Sequence, residues 1–229
     1  MQSYLKPRQR RKKLSESKPD AGVAVQYGCG LSCPDHWINY DSSPTLRVQR
    51  IPLIGKIITK SRVRFPDRVK YGDIVKGLPH ARESVDYLYC SHVLEHLSLS
   101  EFRIALRNSR AILKNGGVFR LVMPDLSYLI DQYRSQRDQS SAGIDFIRGT
   151  LMGVESRPTS LWERLISGLG NAHHLWLWDE EGAREELHSA GFQDVRSCGF
   201  GDSGVPHFKL VEDEERFRNS LALECRRLS

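Results

Sequence analysis

The chain has 229 residues, of which 39% are hydrophobic and 27% are charged, enough for one domain with a sizeable core. No run of about 18 apolar residues is present, so we expect no membrane span. The basic N-terminal stretch lacks the apolar region of a secretory signal, which predicts a cytoplasmic protein. The five cysteines show no metal-like or paired spacing, which fits a reducing compartment.

The net charge of +6 is unevenly distributed. Residues 1–18 carry +6 and residues 44–70 carry +7, whereas residues 71–229 carry −4. We therefore expect a disordered basic tail over 1–18 and one domain over 19–229, with a basic amphipathic insertion at 44–70. The acidic body disfavours nucleic acid as a partner. The basic insertion either rests on an anionic membrane surface, peripherally, or binds an anionic substrate such as a diphosphate-linked glycan, or packs its apolar side on the body, which we favour slightly.

Strand and helix signals alternate after the tail, which is typical of a parallel α/β sheet. Only ten residues separate Gly30 from Asp41, too few for a helix and a strand, so the first crossover should be a loop or a single turn. The predicted strands are Val23–Tyr27, Trp37–Asp41, Val69–Tyr71, Val85–Cys90, Val118–Met123, Asp194–Cys198 and Ser220–Arg226.

Two helices have clear ends in the sequence. Leu99–Lys114 has Ser100 as its expected N-cap and Asn115–Gly117 as its expected C-terminal stop. Asp179–Ala190 is followed by Gly191. Between these helices, a polar connection and a helical stretch predict a lid-like insertion over 139–178.

Polar and glycine residues follow the predicted strands at the points where a ligand would bind. Gly28-Cys29-Gly30 ends the first strand, Asp41 ends the second, and Asp73 beside Ile74 follows the third. Because the carboxyl ends of parallel strands share one edge of a sheet, these residues should meet there. A carboxylate for ribose hydroxyls and another for an exocyclic amine predict an adenosine pocket.

The sequence His92-Val93-Leu94-Glu95-His96 also matches a zinc-protease signature, H-x-x-E-H. That signature needs both histidines on one helix, whereas here the motif follows directly on a buried strand. We therefore favour a strand-to-helix turn that lines the ligand site, and we assign no metal ligands.

Six motifs in order resemble those of class I S-adenosylmethionine-dependent methyltransferases, close to the type 11 branch. They are Gly28-Cys29-Gly30, Trp37–Asp41, Tyr71-Gly72-Asp73-Ile74, Ser91–His96, Leu113–Gly117 and Met123-Pro124-Asp125. The resemblance implies a Rossmann-like, seven-stranded, mostly parallel, doubly wound sheet with an antiparallel last strand. It also implies S-adenosylmethionine as the cofactor. The usual third glycine and the helix after it are missing here.

The resemblance implies roles for individual residues. The implied cofactor-binding residues are Tyr27, Gly28, Cys29, Gly30, Asp41, Asp73, Ile74, Ser91 and His92. Methyl transfer to a hydroxyl needs orientation and a base, and the candidates are His174, His92 and Asp125. We expect O-methylation of a small molecule, a glycan or a lipid-linked saccharide. The alternative is a noncatalytic protein of this fold that binds a partner or membrane through its basic segments.

Overall fold

A computed structural model describes residues 22–51, 64–157 and 173–229. The predicted tail over 1–18, the middle of the basic insertion and residues 158–172 of the lid-like insertion lie outside the described residues. Seven strands form one sheet in the order β3-β2-β1-β4-β5-β7-β6. They are β1 (Ala24–Tyr27), β2 (Trp37–Asp41), β3 (Lys70–Tyr71), β4 (Val85–Ser91), β5 (Leu113–Pro124), β6 (Gln193–Ser197) and β7 (Ser220–Arg226).

Strand direction confirms the predicted fold class. The first five strands pair in parallel with their neighbours, whereas β7 runs antiparallel to both β5 and β6. The carboxyl ends of β1, β2, β3 and β4 therefore lie along one edge of the sheet.

The connection from β1 to β2 contains no helix, as the short spacing predicts. The chain turns back at once, and the backbone N–H of Cys29 donates to the carbonyl of Tyr40 at 3.0 Å. A glycine turn and a loop therefore replace the first crossover helix.

Six α-helices and two short 3₁₀ turns occupy the described residues. The helices are α1 (Pro44–Gln49), α2 (Leu99–Ile112), α3 (Leu126–Gln136), α4 (Ala142–Thr150), α5 (Glu180–Ser189) and α6 (Glu214–Phe217). The 3₁₀ turns are Leu94–His96 and Pro206–Leu210. No helix in the described ranges is long and apolar enough to cross a membrane.

Three helix predictions differ from the structure. The N-cap of α2 is Ser98 rather than Ser100, because Ser98 forms a capping box with Glu101. Asn115–Gly117 does not end the helix, since β5 already begins at Leu113 and includes these residues. Helix α3 has no counterpart in the prediction.

The core lies on both faces of the sheet. On one face, α2 and α5 pack Phe102, Leu106 and Leu187 against the central strands. On the other face, the turn at Pro206–Leu210 places Phe208 against Trp37. Both faces are covered, so the carboxyl edge of the strands is where side chains of several elements can converge on a ligand.

Candidate active site

A cavity of about 320 Å³ opens at the carboxyl ends of β1, β2 and β4. Its volume lies in the range of small-molecule sites, about 300–1,000 Å³. The lining residues are Gly28, Asp41, Ser42, Ser43, Pro44, Thr45, Asp73, Ile74, His92, Val93, His96 and Leu97. The structure thus brings together five of the nine residues predicted to bind the cofactor.

Asp41 fixes the walls of this cavity. One carboxylate oxygen accepts the backbone N–H of Gly30 at 2.9 Å, and the other accepts the N–H of Ser43 at 2.7 Å. An ionised carboxylate has about four acceptor positions, so two remain for hydrogen-bond donors of a ligand. Asp41 therefore joins the glycine turn to the start of α1 and still faces the cavity.

Asp73 and Ile74 form the side of the cavity next to β3. The Asp73 carboxylate accepts the N–H of Val75 at 3.0 Å and lies 3.2 Å from the ammonium of Lys76. Ile74 is buried, and its carbonyl accepts a hydrogen bond from Asn108 at 2.8 Å. A carboxylate beside a fixed apolar side chain suits a flat, amine-bearing ring.

Gly28 is required for a reason that the sequence does not reveal. Its φ is +65°, and a Cβ at this position would overlap the Cγ2 atom of Val93. Gly30 has φ +55°, but a Cβ there would meet open space. The close neighbour of Gly28 is thus a side chain of the protein, which packs the glycine turn onto the segment after β4.

The other four predicted cofactor residues stand behind the cavity wall. Tyr27 points into the core, where its hydroxyl lies 3.2 Å from Ser109. Cys29 is buried in a small apolar cluster with Leu46, and burial raises its pKa to about 12. Gly30 contributes the N–H held by Asp41, and Ser91 is buried at the end of β4. Their proposed roles are therefore in shaping the turn.

Four side chains beside the cavity form what we call the Glu95 cluster: Glu95, His92, His96 and His174. The Glu95 side chain is 1% exposed, and its Oε1 atom lies 3.4 Å from His92 Nδ1 and 4.0 Å from Nε2 of His96 and of His174. The rings of His96 and His174 meet edge to face at 5.0 Å. The motif lies at a strand-to-3₁₀ turn, as the sequence predicts.

The surroundings shift the pKa values of two histidines in opposite directions. Burial alone would lower the pKa of His92, but the Glu95 carboxylate and the Arg216 carbonyl raise it above its usual value. Burial lowers the pKa of His174, with a further contribution from the nearby His96, despite the attraction of Glu95. His92 also adopts a left-handed backbone, with φ +53°.

The three predicted catalytic residues are not equally placed. His92 lines the cavity, and His174 lies behind it with Nδ1 at 2.9 Å from the carbonyl of Thr150. Asp125 caps α3, where its carboxylate accepts the N–H of Ser127 at 2.8 Å. His96 also lines the cavity.

The first turn of α1 is part of the site, which was not predicted from the sequence. Ser42, Ser43, Pro44 and Thr45 all line the cavity. Ser43 caps the helix and Pro44 occupies its first turn, a combination typical of helix starts. The Ser-Ser-Pro sequence after Asp41 was therefore a usable signal.

Residues 25–121 match the family model described as a methyltransferase domain. All of the residues that line the cavity lie within this segment. By this match and by its strand order, the segment resembles a class I methyltransferase domain. The cofactor of this family is S-adenosylmethionine.

Solved structures described as methyltransferases resemble this chain only distantly. A Haloferax volcanii methyltransferase complexed with an activator is 16% identical, with 92% of this chain and 84% of that one covered and a TM-score of 0.48. A Thermotoga maritima structure, described as a possible histamine N-methyltransferase, is 16% identical, with 90% of this chain and 81% of that one covered and a TM-score of 0.46. A structure from Archaeoglobus fulgidus, described as a SAM-dependent methyltransferase, is 14% identical, with 90% of this chain and 86% of that one covered and a TM-score of 0.45. No curated protein matches. Similarity at this level says nothing about the substrate.

The cavity has the polarity that S-adenosylmethionine requires. Two carboxylates, Asp41 and Asp73, stand on adjacent sides, next to the apolar Ile74 and the glycine turn. Hydroxyls, an aromatic amine and a flat ring each have a matching group. The residues present therefore fit the cofactor.

The described part of the 44–70 insertion holds its basic side chains locally. Arg47 stacks 4.4 Å over the ring of Tyr71, Arg68 pairs with Asp35, and Arg50 donates to the carbonyl of Asp67. Leu46 is fully buried. These contacts favour the packing interpretation for the described residues of this insertion.

Proposed function

We propose that the protein is a methyltransferase that transfers the methyl group of S-adenosylmethionine to an oxygen of a small molecule, a glycan or a lipid-linked saccharide. The single observation that carries the proposal is the shared cavity. Gly28, Asp41, Asp73, Ile74 and His92, predicted from the sequence for one cofactor, all line it.

The proposed cofactor pose follows from these groups. The ribose hydroxyls donate to Asp41, the adenine amine donates to Asp73, and the ring lies against Ile74. The methionine portion follows the glycine turn, which places the sulfonium near His92. Methyl transfer then needs an acceptor oxygen in line with the carbon–sulfur bond, so the chain's main contribution is orientation.

The acceptor is proposed to be an oxygen because the groups near the sulfonium favour its deprotonation. His92 and His96 line the cavity there, and Glu95 adds negative charge directly behind them. A hydroxyl must lose its proton to attack the methyl carbon, whereas a neutral amine can attack directly. The histidine wall supports oxygen over nitrogen as the acceptor atom.

Binding of S-adenosylhomocysteine tests the cofactor site without knowledge of the acceptor. We expect this product to raise the unfolding temperature of the purified chain. The Asp73→Asn variant keeps an oxygen for Val75 but loses the charge, and it should bind about 10-fold more weakly or worse, as typical for a hydrogen bond to a charged group. Calorimetric titration measures both affinities.

Asp138→Asn is the matched control, since the Asp138 side chain is 97% exposed and far along the chain from the cavity residues. Equal affinity in the wild type and this control is expected. Absence of any thermal shift at saturating ligand would refute cofactor binding and favour the noncatalytic alternative.

The acceptor class can be found by transfer of labelled methyl into a cell extract. Fractionation into lipid, glycan, small-molecule, protein and nucleic-acid pools should place the label in one of the first three. Label in nucleic acid or protein would contradict the proposed substrate class while leaving the cofactor site intact.

A further inference from the structure

Glu95 is a buried carboxylate without a counter-charge that satisfies it. Both of its carboxylate oxygens are buried and have no hydrogen-bond partner. Within the described ranges, only histidines lie within ion-pair distance of it. Burying an unpaired carboxylate costs much free energy, so we expect a cation to bind beside Glu95.

The histidines around Glu95 are oriented by their other ring nitrogens. His96 Nδ1 lies 3.0 Å from the carbonyl of His173, and His174 Nδ1 lies 2.9 Å from the carbonyl of Thr150. A carbonyl only accepts hydrogen bonds, so both Nδ1 atoms carry a hydrogen. The Nε2 atom of each neutral ring therefore presents a lone pair toward Glu95.

The Glu95 carboxylate and the two imidazole rings therefore form a set of three groups that can each donate an electron pair to a metal ion. One ring nitrogen of His96, one of His174 and a carboxylate oxygen of Glu95 all lie within 4.8 Å of one another, and Nε2 of each ring is 4.0 Å from Glu95 Oε1. Histidine ligands of metals characteristically donate the second ring N–H to a carbonyl or carboxylate, as both rings do here. We propose that Glu95, His96 and His174 bind one divalent first-row transition-metal ion, with His92 as a positioning residue for the Glu95 carboxylate.

The donor types and spacing restrict the ion. Imidazole nitrogens select Zn²⁺, Fe²⁺, Ni²⁺ or Co²⁺ over Mg²⁺ and Ca²⁺, which prefer oxygen ligands. Ligands about 2.0–2.1 Å from a tetrahedral Zn²⁺ are about 3.3 Å apart, so the three donors would close in by about 1 Å. Three protein ligands leave a coordination position open, as in catalytic rather than structural zinc sites.

The open position would face the cavity, since His96 lines it. A bound cation lowers the pKa of an oxygen ligand, and this is the chemistry that an acceptor hydroxyl needs. This consequence rests on the proposed function, whereas metal binding itself does not. The H-x-x-E-H sequence would then supply two ligands, Glu95 and His96, and the distant His174 would be the third. This arrangement is unlike that of a zinc protease.

The test is a titration of the full-length chain with Co²⁺ after treatment with a chelator. Visible absorption of bound Co²⁺ should saturate at one ion per chain, and Zn²⁺ should displace it. His174→Ala should weaken binding by more than about 100-fold, because mutation of residues that merely orient a ligand already costs about 10–100-fold. His173→Ala is the control, since His173 is exposed, approaches His96 only with its backbone carbonyl, and places its ring against the carbonyl of Leu151.

Glu95→Gln separates metal binding from folding. The glutamine amide supplies hydrogens to the Nε2 lone pairs, so the variant should remain folded, with an unfolding temperature equal to or above that of the metal-free wild type. It should nevertheless lose the Co²⁺ spectrum. The unfolding temperature of the wild type, but not of this variant, should rise with Zn²⁺.

Two results would overturn the metal site. One is a wild type without saturable Co²⁺ absorption, which would mean that a proton shared with His92 neutralises Glu95. The other is equal Co²⁺ binding by the wild type, Glu95→Gln and His174→Ala. S-adenosylhomocysteine binding is measured on the same metal-free protein, so loss of the cofactor site and loss of the metal site give different outcomes.

Discussion

Gly28 and Gly30 both have positive φ angles, but only Gly28 is closely packed by another side chain. Alanine at either position pays the strain of a left-handed backbone. We expect Gly28→Ala to lower the free energy of unfolding by about 1–3 kcal/mol more than Gly30→Ala, because it also overlaps Val93. Urea denaturation measures the difference.

A Val93→Ala substitution in the Gly28→Ala background provides the control. It removes the overlapping methyl groups, so it should recover part of the lost stability. If the double variant is no more stable than Gly28→Ala alone, close packing against Val93 is not the reason for the glycine.

Cys29 provides a second prediction at the residue scale. Burial and the nearby Asp41 raise its pKa to about 12, so at pH 8 the reactive thiolate amounts to about 1 in 10,000 molecules. Cys198 is shifted similarly by burial. We expect iodoacetamide to label the half-buried Cys33 first and Cys29 only after unfolding, as measured by peptide mass spectrometry. Rapid labelling of Cys29 in the folded protein would contradict the buried glycine turn.

No helix connects β1 to β2. Helix α1, which follows β2, takes over part of the role of such a helix because it packs against the glycine turn and lines the cavity. Its Leu46 is fully buried with Cys29, Phe65 and Val69, and its first turn lines the cavity. Leu46→Ala should lower the free energy of unfolding by about 2–5 kcal/mol and weaken cofactor binding. Leu31, which is 54% exposed in the connection from β1 to β2, gives the control Leu31→Ala, expected to change neither quantity. Thermal unfolding with and without S-adenosylhomocysteine provides both measurements.

The sequence predicts those elements whose residues are buried in a regular pattern. Strands β2 and β7 have the predicted bounds because apolar runs mark central strands. Helix α3 was not predicted, although Leu126, Leu129, Ile130 and Tyr133 recur at helical spacing; in the structure none of its residues is fully buried. Gly116 marks a stop in the sequence, but it lies inside β5, where the strand continues beside the C-terminal residues.

The residues of the site also differ in how well the sequence predicts their positions. Asp41 and Asp73 follow strands directly, so the topology alone predicts that they meet. His174 lies 79 residues after Glu95, and its position depends on how the chain returns from the insertion. The sequence names it as a candidate base, but no local pattern predicts its contact with Glu95.

At the scale of the whole molecule, Arg120 connects the sheet to the segment that covers its second face. Its buried guanidinium pairs with Glu212, with Asp202 at 3.0 Å and with Glu224 at 3.0 Å. Arg120→Met should lower the free energy of unfolding by about 3–5 kcal/mol, because it leaves the buried Glu212 carboxylate without its cation, whereas Glu224 and Asp202 keep Arg196. Chemical denaturation measures the change.

The exposed pair of Arg134 and Asp131 offers the comparison, since both side chains are 74% exposed. Arg134→Met should leave stability unchanged within error. Similar losses for the two variants would show that burial of the Arg120 network does not determine its contribution.

The two ends of the insertion before His174 are held together at its base. The backbone N–H of His174 donates to the carbonyl of Leu151, and its ring bonds the carbonyl of Thr150. The N–H groups of Leu175 and Trp176 both reach the carbonyl of Glu95. The position of the His174 ring beside Glu95 is therefore set by contacts at the base, on both sides of the insertion. Under the proposed function, these contacts would keep the groups at the strand ends in place whichever acceptor is bound.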